Sequence, residues 1–267
     1  MSTQPEVAGE LQALAADIAR EAGALALQRR AAGVALAATK STLADIVTEA
    51  DREVEDLIRS RLSAERPGDG FLGEESGASE STTGVTWVVD PIDGTVNYAY
   101  GIPFYNVSIA AVQGTDPETW ELLAGAIHAP ALGELFSAAR GGGAWLGDQR
   151  LAVTAENPAG ALLATGFGYD PATHDGDLAT VRQVMPLARD LRRMGAAALD
   201  LAYVAAGRLD GYFERGLNPW DYAAGALLIR EAGGVVSRTE TDSPRPMIIA
   251  AGPALHARLS HVLHNQT

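Results

Sequence analysis

Two carboxylates follow a short apolar run in the segment 87–97, whose sequence is WVVDPIDGTVN. The apolar residues predict a buried strand, and Asp90 and Asp93 come directly after it in a turn stiffened by Pro91. Two acids this close repel each other unless a proton or a cation lies between them. The segment therefore has the composition of a metal site, although an Asp-x-x-Asp turn by itself is more often only a solvated turn.

The next two residues, Gly94 and Thr95, add a second chemistry to the same segment. Glycine lets the backbone approach a ligand closely, and threonine is a good opening residue for a helical turn. Free N–H groups at such a start attract anions, phosphate above all. The segment thus offers carboxylates to a metal and amides to a phosphate.

Two further acidic segments lie upstream. Glu74 and Glu75 end an apolar run, and neighbouring residues of an extended segment point to opposite sides, so we expect only one of them to be a ligand. Asp51 lies three residues after Thr48, a spacing that fits capping of the helix predicted there as well as metal binding.

A fourth acid, Asp221, lies near the other end of the chain. Asn218 and Pro219 predict the start of an apolar helix, which places Asp221 in its first turn. A carboxylate is favourable at that position even without a ligand. Its value as a site residue therefore depends on the other acids.

Four segments together resemble the signature motifs of the inositol monophosphatase family, and they occur in the family's order. They are DIVTEAD at 45–51, GEES at 73–76, DPIDGTVN at 90–97 and WDYAAG at 220–225. The similarity extends over nearly the whole chain, and four ordered motifs are far more specific than one.

The resemblance implies a multi-metal centre. It assigns two ions to Glu74, Asp90, the backbone carbonyl of Ile92, Asp93 and Asp221. Asp90 would bridge the two ions, and Asp51 would lie beside a third, weaker one. Because the ligands are oxygens and the chain has no cysteine, Mg²⁺ is the expected ion, with Mn²⁺ as an alternative.

The resemblance also implies the catalytic and substrate-binding positions. Glu74 and Thr95 would activate the attacking water, with Asp51 as the third catalytic residue. The substrate would contact Asp93, Gly94, Thr95, Gly195, Ala196, Ala197, Glu214 and Asp221. Family members often have Thr or Ser at the position of Ala196, so this chain lacks a side-chain hydroxyl there.

The implied activity is hydrolysis of a phosphate monoester, dependent on magnesium and sensitive to lithium, by direct attack of a metal-activated water. Among sugar and polyol phosphates, we expect inositol 1-phosphate to be the substrate. Histidinol phosphate, fructose 1,6-bisphosphate and adenosine 3′,5′-bisphosphate stay open as alternatives. A role as a protein-binding partner in transcription complexes, which a bacterial family member has, is the alternative from another class.

Composition limits the other partners. The 267 residues carry a formal net charge of −14, which disfavours a nucleic-acid surface. No apolar stretch is long enough for a membrane span, and the absence of cysteine favours a cytoplasmic location. The resemblance implies a homodimer.

The elements that would position these residues change in type along the chain. The strand-rich first part predicts an α+β domain at 1–153 that carries most metal ligands, and the alternating second part predicts an α/β domain at 154–267 with the substrate contacts and the last metal ligand. Helices are predicted at about 7–31, 51–64, 175–188, 196–206 and 219–232. Asp200 lies in one of them and is expected to make a buried hydrogen bond, while Arg192 and Arg193 are expected to form salt bridges. The resemblance implies a layered αβαβα sandwich.

Overall fold

The computed structural model describes residues 4–33, 36–39, 46–114, 116–117, 119–155, 159–239 and 245–264. Its first element is the long helix α1 (Gln4–Ala32), which buries an apolar stripe that includes Leu11, Ile18 and Ala22. A two-stranded sheet of β1 (Leu36–Thr39) and β2 (Ile46–Thr48) then leads into α2 (Glu49–Glu65). The side chain of Thr48, the expected cap of α2, lies outside the described part of the chain.

The larger sheet has the spatial order β10-β9-β8-β7-β6-β5-β3-β4. Its strands are β3 (Gly70–Gly73), β4 (Gly77–Ser79), β5 (Val85–Asp93), β6 (Asn106–Gln113), β7 (Glu121–Ala129), β8 (Glu134–Ala139), β9 (Gly143–Leu146) and β10 (Gln149–Arg150). The short helix α3 (Thr95–Tyr100) connects β5 with β6. Strands β3 and β5 pair in parallel, and the other neighbours are antiparallel. The carboxyl ends of β3 and β5 therefore lie side by side.

The smaller sheet has the order β12-β11-β13-β15-β14. Its strands are β11 (Ala161–Thr165), β12 (Ala188–Arg192), β13 (Gly211–Arg215), β14 (Val235–Arg238) and β15 (Met247–Ala251). The helices of this part are α4 (His174–Val184), α5 (Ala197–Ala205), α6 (Pro219–Glu231) and α7 (Pro253–His264).

The elements form five layers. Helices α1 and α2 cover one face of the larger sheet, α5 and α6 lie between the two sheets, and α4 and α7 cover the outer face of the smaller sheet. Because α6 is enclosed by both sheets, its residues from Tyr222 to Ile229 are all buried, which explains an apolar composition without a polar face. The predicted αβαβα architecture is confirmed. The division at 153/154 stays a prediction, and the middle core combines residues of both parts, such as Ile127 and Leu228.

The segment from Asp90 to Asp93 differs from its prediction. We expected a turn directly after the apolar run, but β5 continues to Asp93 and pairs with β6 on both sides of a register shift. Pro91 has no N–H to donate, so the ladder breaks there and resumes where Asp93 pairs with Asn106. The two acids lie on an irregular strand end.

Two predicted boundaries in the second part were also wrong. The helix expected at about 175–188 ends at Val184, because Pro186 follows in a 3₁₀ turn that spans Met185–Leu187. The apolar residues predict the next strand only at 191–194, whereas β12 begins at Ala188 and ends at Arg192.

Candidate active site

One cleft of about 600 Å³ lies where the end of β5 meets α5, the end of β13 and the start of α6. Every predicted site residue except Asp51 lines it, namely Glu74, Asp90, Ile92, Asp93, Gly94, Thr95, Gly195, Ala196, Ala197, Glu214 and Asp221. The most distant of these positions lie more than half the chain apart in sequence, and the fold brings them together.

Asp90 is deeply buried, with 2% of its surface exposed. Burial raises its pKa well above the usual range, and the neighbouring charges of Glu74, Asp93 and Asp221 raise it further. Its Oδ1 atom is buried and has no hydrogen-bond partner among the described residues. A buried oxygen of this kind is costly unless a proton or a cation satisfies it.

Asp93 is fixed by three donors. Asn106 Nδ2 donates to Oδ2 at 2.7 Å, the N–H of Ala198 donates to the same oxygen at 2.8 Å, and the N–H of Ala197 donates to Oδ1 at 3.1 Å. Burial raises the pKa of Asp93 to about 6, and these hydrogen bonds act in the opposite direction. The carboxylate of Asp93, on the larger sheet, thus caps the first turn of α5. Its Oδ1 retains a lone pair for a ligand.

The turn after β3 presents Glu74 to the cleft. The N–H of Glu74 donates to Val89 O at 3.2 Å, which ties the turn to β5 next to Asp90. Of the two adjacent acids, it is Glu74 that lines the cleft, and the backbone N–H of Glu75 points towards α2.

Thr95 lines the cleft and contacts Asp51, which lies outside the lining. The Thr95 hydroxyl lies 3.0 Å from Ile92 O and 3.3 Å from Asp51 Oδ1. A carbonyl oxygen has two lone pairs, so the Ile92 carbonyl can accept this bond and still face a cation. Gly94 has a φ of +88°, and a Cβ there would lie 3.0 Å from Phe104 O, so both its conformation and the space require glycine.

Asp221 comes from the first turn of α6, as predicted. Pro219 is the first residue of the helix, and the N–H of Asn218 donates to Asp221 Oδ2 at 2.6 Å. Desolvation raises the pKa of Asp221 well above its usual range, and the charges of Asp93 and Glu74 add to this effect.

Glu214 lies on the opposite side of the cleft, at the end of β13. Desolvation raises its pKa to about 7, although the hydroxyl of Tyr212 donates a hydrogen bond to it. Gly166 faces this carboxylate so closely that any Cβ would collide with it. Ala196, whose side chain carries no hydroxyl, is buried beside Gly94.

Sequence reasoning missed several features of this opposite side. The segment 165–170, with Tyr169, forms part of the cleft wall, and its only signal was a pair of glycines after a strand. Arg193 also lines the cleft, whereas the expected salt bridge is made by its neighbour Arg192 with Asp190 at 2.7 Å. Asp200 is buried at the cleft, and its Oδ1 makes no hydrogen bond within the described residues, so the buried hydrogen bond expected of this side chain stays a prediction.

The oxygen atoms that face the cleft are of the kind that bind a hard cation. Four carboxylates, of which Asp90, Asp93 and Asp221 have raised pKa values, and a free carbonyl lone pair are the ligands that Mg²⁺ or Mn²⁺ prefers. Within the described ranges, no three Asp, Glu or His side chains are arranged to hold one ion as they stand. Ligands other than carboxylates, such as the carbonyl oxygen and water, would therefore have to complete each coordination sphere.

The architecture and the acidic cleft are those of a phosphatase of the layered αβαβα type. The chain belongs to the inositol monophosphatase family, whose sequence model matches residues 8–267, and it is a phosphoric monoester hydrolase of that kind. The resemblance noted from the four motifs is thereby confirmed.

Three individual proteins illustrate the similarity. The inositol-1-monophosphatase SuhB of Mycobacterium tuberculosis is 43% identical over 269 residues, covering 92% of this chain and 90% of the relative. The Nus factor SuhB of Escherichia coli is 41% identical over 228 residues, covering 84% and 83% of the two chains. The crystal structure of the extragenic suppressor protein suhB from Bartonella henselae superimposes with a TM-score of 0.87 at 37% identity, covering 97% of this chain and all of the other. No helix in the described part of this chain has the length and apolarity needed to cross a membrane.

Proposed function

We propose that this protein hydrolyses inositol 1-phosphate in a reaction that depends on Mg²⁺ and is inhibited by Li⁺. The observation that carries the proposal is the buried oxygen of Asp90, which has no partner in the described residues and lies among Glu74, Asp93 and Asp221. Such a cluster needs cations, and a phosphate monoester is the substrate class that two adjacent cations serve best. The names of the relatives favour inositol 1-phosphate within that class.

The metal ligands of the proposal are Glu74, Asp90, the carbonyl of Ile92, Asp93 and Asp221, with Asp51 beside a third position. Bound Mg²⁺ would neutralise phosphate charge and lower the pKa of the attacking water. Protein side chains would orient the water and accept its proton. Glu74 and Thr95 would orient the water in line with the ester bond. Glu74 would accept its proton as the water oxygen bonds to phosphorus, while the ester P–O bond breaks and the leaving oxygen takes a proton from solvent water.

Substrate binding uses both sides of the cleft. The N–H groups of Gly94 and Thr95 hold phosphate oxygens, because glycine allows the close approach that phosphate needs. Hydroxyl groups of the polyol contact Glu214 together with Asp93, Asp221 and the backbone of Gly195, Ala196 and Ala197. With no hydroxyl at Ala196, backbone amides supply the contacts of that segment.

A phosphate-release panel tests the proposal. Inositol 1-phosphate, histidinol phosphate, fructose 1,6-bisphosphate and adenosine 3′,5′-bisphosphate are compared with Mg²⁺, without it, and with added Li⁺. We expect inositol 1-phosphate to give the highest kcat/KM, with turnover lost without Mg²⁺. A preference for one of the other esters would remove the inositol assignment and leave the hydrolase.

A second candidate function is favoured by the similarity to the Nus factor of Escherichia coli. In that case the chain would bind a transcription protein, and the cleft would be secondary. No phosphate release from any ester, together with a thermal midpoint that Mg²⁺ does not shift, would favour this function. The acids clustered in the cleft argue for hydrolysis as the main role, since a binding surface has no use for buried carboxylates that repel each other.

The proposal includes a cytoplasmic homodimer. Tyr100 and Ile102, which follow the site segment, expose 79% and 48% of their surfaces, a degree of exposure that favours coverage by a partner. Light scattering after size exclusion measures the oligomeric state, and a monomer at micromolar concentration would contradict this part.

A further inference from the structure

A carboxylate outside the predicted site holds the turn that presents Glu74. Glu55, on α2, is buried with 1% of its surface exposed. Its Oε2 accepts the N–H of Glu75 at 2.9 Å, and its Oε1 accepts the N–H of Ser76 at 2.7 Å. Because the N–H of Glu74 donates to Val89, three successive amides of this turn are fixed, two of them by one side chain.

The space around this carboxylate is as closely fitted as its hydrogen bonds. Gly73 ends β3 directly in front of it, and a Cβ at Gly73 would lie 2.6 Å from Glu55 Cδ. Real Cβ atoms do not approach other atoms so closely, so Glu55 can reach the turn only past a glycine. The backbone and the carboxylate therefore have little freedom to shift separately.

The same helix also contacts the other group assigned to the attacking water. Asp51 lies one helical turn before Glu55, and residues four apart lie on one face of a helix. Asp51 Oδ1 is 3.3 Å from the Thr95 hydroxyl, while Glu55 holds the turn of Glu74. One rigid element thus touches both members of the pair that would position the water.

We propose that Glu55 is a positioning residue for hydrolysis, which sets the carboxylate of Glu74 at its distance from Thr95. The inference rests on the proposed function, because it assumes that Glu74 and Thr95 act on the attacking water. Hydrogen bonds from N–H groups to an ionised carboxylate are stronger than those to a neutral acceptor, which suits a group that must hold a turn in place. The competing explanation is that Glu55 serves stability alone.

The first test is Glu55→Gln. The amide has the same shape, but its NH₂ group faces one of the two N–H donors and must turn away, so the turn shifts. A displacement of about 1 Å in a reacting group costs on the order of 10²-fold in rate, and we expect kcat to fall roughly 10- to 100-fold. KM should stay within about 2-fold, because the amides of Gly94 and Thr95 are not touched.

The matched control is Glu53→Gln, which removes the same charge from the same helix. Glu53 is half-buried and pairs with Arg29. Its kcat should stay within about 2-fold of the unmodified protein. A Glu55→Gln protein that keeps full kcat, or that changes KM alone, would overturn the proposal.

A double variant separates positioning from stability. If Glu55 acts through Glu74, then Glu55→Gln added to Glu74→Gln lowers kcat no further than Glu74→Gln alone, within about 2-fold. A further 10-fold loss in the double variant would mean that Glu55 acts by another route, and the proposal would fail.

Gly73→Ala keeps the test decisive if Glu55→Gln does not fold. The added methyl group presses on the carboxylate of Glu55 and on the ring of Phe71 and leaves all acids unchanged in type, so kcat should fall at nearly constant KM. A folded Gly73→Ala protein with full kcat would contradict the proposal. If the unmodified protein releases no phosphate at all, the proposed function fails, whereas an active protein insensitive to both changes removes only the role of Glu55.

Discussion

The two walls of the cleft differ in how firmly they hold their functional groups. On the wall from the larger sheet, Asp93 accepts three hydrogen bonds and the turn of Glu74 is fixed at successive amides. On the opposite wall, Glu214 has Tyr212 as its donor, and Arg193 and Tyr169 lie exposed at the rim. Under the proposed function, this difference would assign the reaction, which demands accurate geometry, to the first wall and the choice of substrate to the second.

The largest expected effect comes from the first wall. Asp90→Asn removes the charge that the proposal places between two cations, and we expect kcat to fall by about 10³-fold or more. In the protein freed of metal by a chelator, the same change should raise the thermal midpoint, because a buried repelling charge is gone. Asp17→Asn, at an exposed surface ion pair, is the control. Retention of more than a tenth of the activity would break the assignment of the reaction to this wall.

The pH dependence of stability tests both walls together. The pKa values of Asp93 and Glu214 are raised to about 6 and about 7, so the folded metal-free protein binds more protons than the unfolded chain between about pH 4 and 7. The stabilisation that these two groups contribute is therefore fully present at low pH and is lost as the pH rises through their folded-state pKa values. Burial lowers the pKa of His128 below its ordinary value of 6.5, so the contribution of this residue to stability increases as the pH rises towards 6.5. His128 therefore opposes the trend, but it is one group against two.

We expect the metal-free protein to be less stable at pH 8 than at pH 5 by about 2 kcal/mol, or roughly 4–8 °C in Tm. Mg²⁺ at pH 8 should restore the loss, because it binds the folded protein only. Calorimetry with a chelator measures both values. A Tm that rises steadily from pH 5 to 8 would show that the acids of the cleft do not govern stability.

A smaller effect, and of another kind, is expected from the second wall. Glu214→Gln should raise KM for inositol 1-phosphate about 10-fold, equivalent to about 1.4 kcal/mol, and leave kcat within about 3-fold. The amide is a weaker acceptor for polyol hydroxyls than the carboxylate. Glu121→Gln, at a surface ion pair with Arg140, is the matched control. A fall in kcat at constant KM would erase the distinction between the walls.

The smallest effect is expected where the chain departs from its family. Ala196→Ser restores a hydroxyl beside Gly94, at a buried position with little spare room. KM for inositol 1-phosphate should change by less than about 3-fold, because backbone amides already supply the contacts there. A 10-fold gain in affinity would mean that the missing hydroxyl limits substrate choice, and the second wall would then depend on side chains more than we infer.

Sequence reasoning was most successful where local pattern and chemistry coincide. Asp90, Asp93 and Asp221 each follow an apolar run or a helix-start signal, and the structure brings all three to one cleft. Glu55 was not predicted as a site residue, because its role depends on a turn 20 residues away in sequence. The sequence shows only an acid between the buried residues Val54 and Ile58. The strand ending at Asp93 was predicted as a turn because proline usually breaks a ladder, whereas here the pairing resumes beyond it.

The cap that Asp93 places on α5 has a consequence for the order of folding. Its bonds to Ala197 and Ala198 span 104 and 105 residues of chain, and contacts of such separation close large loops late in folding. Asp221 lies later still in the sequence. We therefore expect Asp221 to join the acids of the larger sheet only in the last steps of folding, so that intermediates with one finished sheet have an incomplete cleft and no hydrolytic activity.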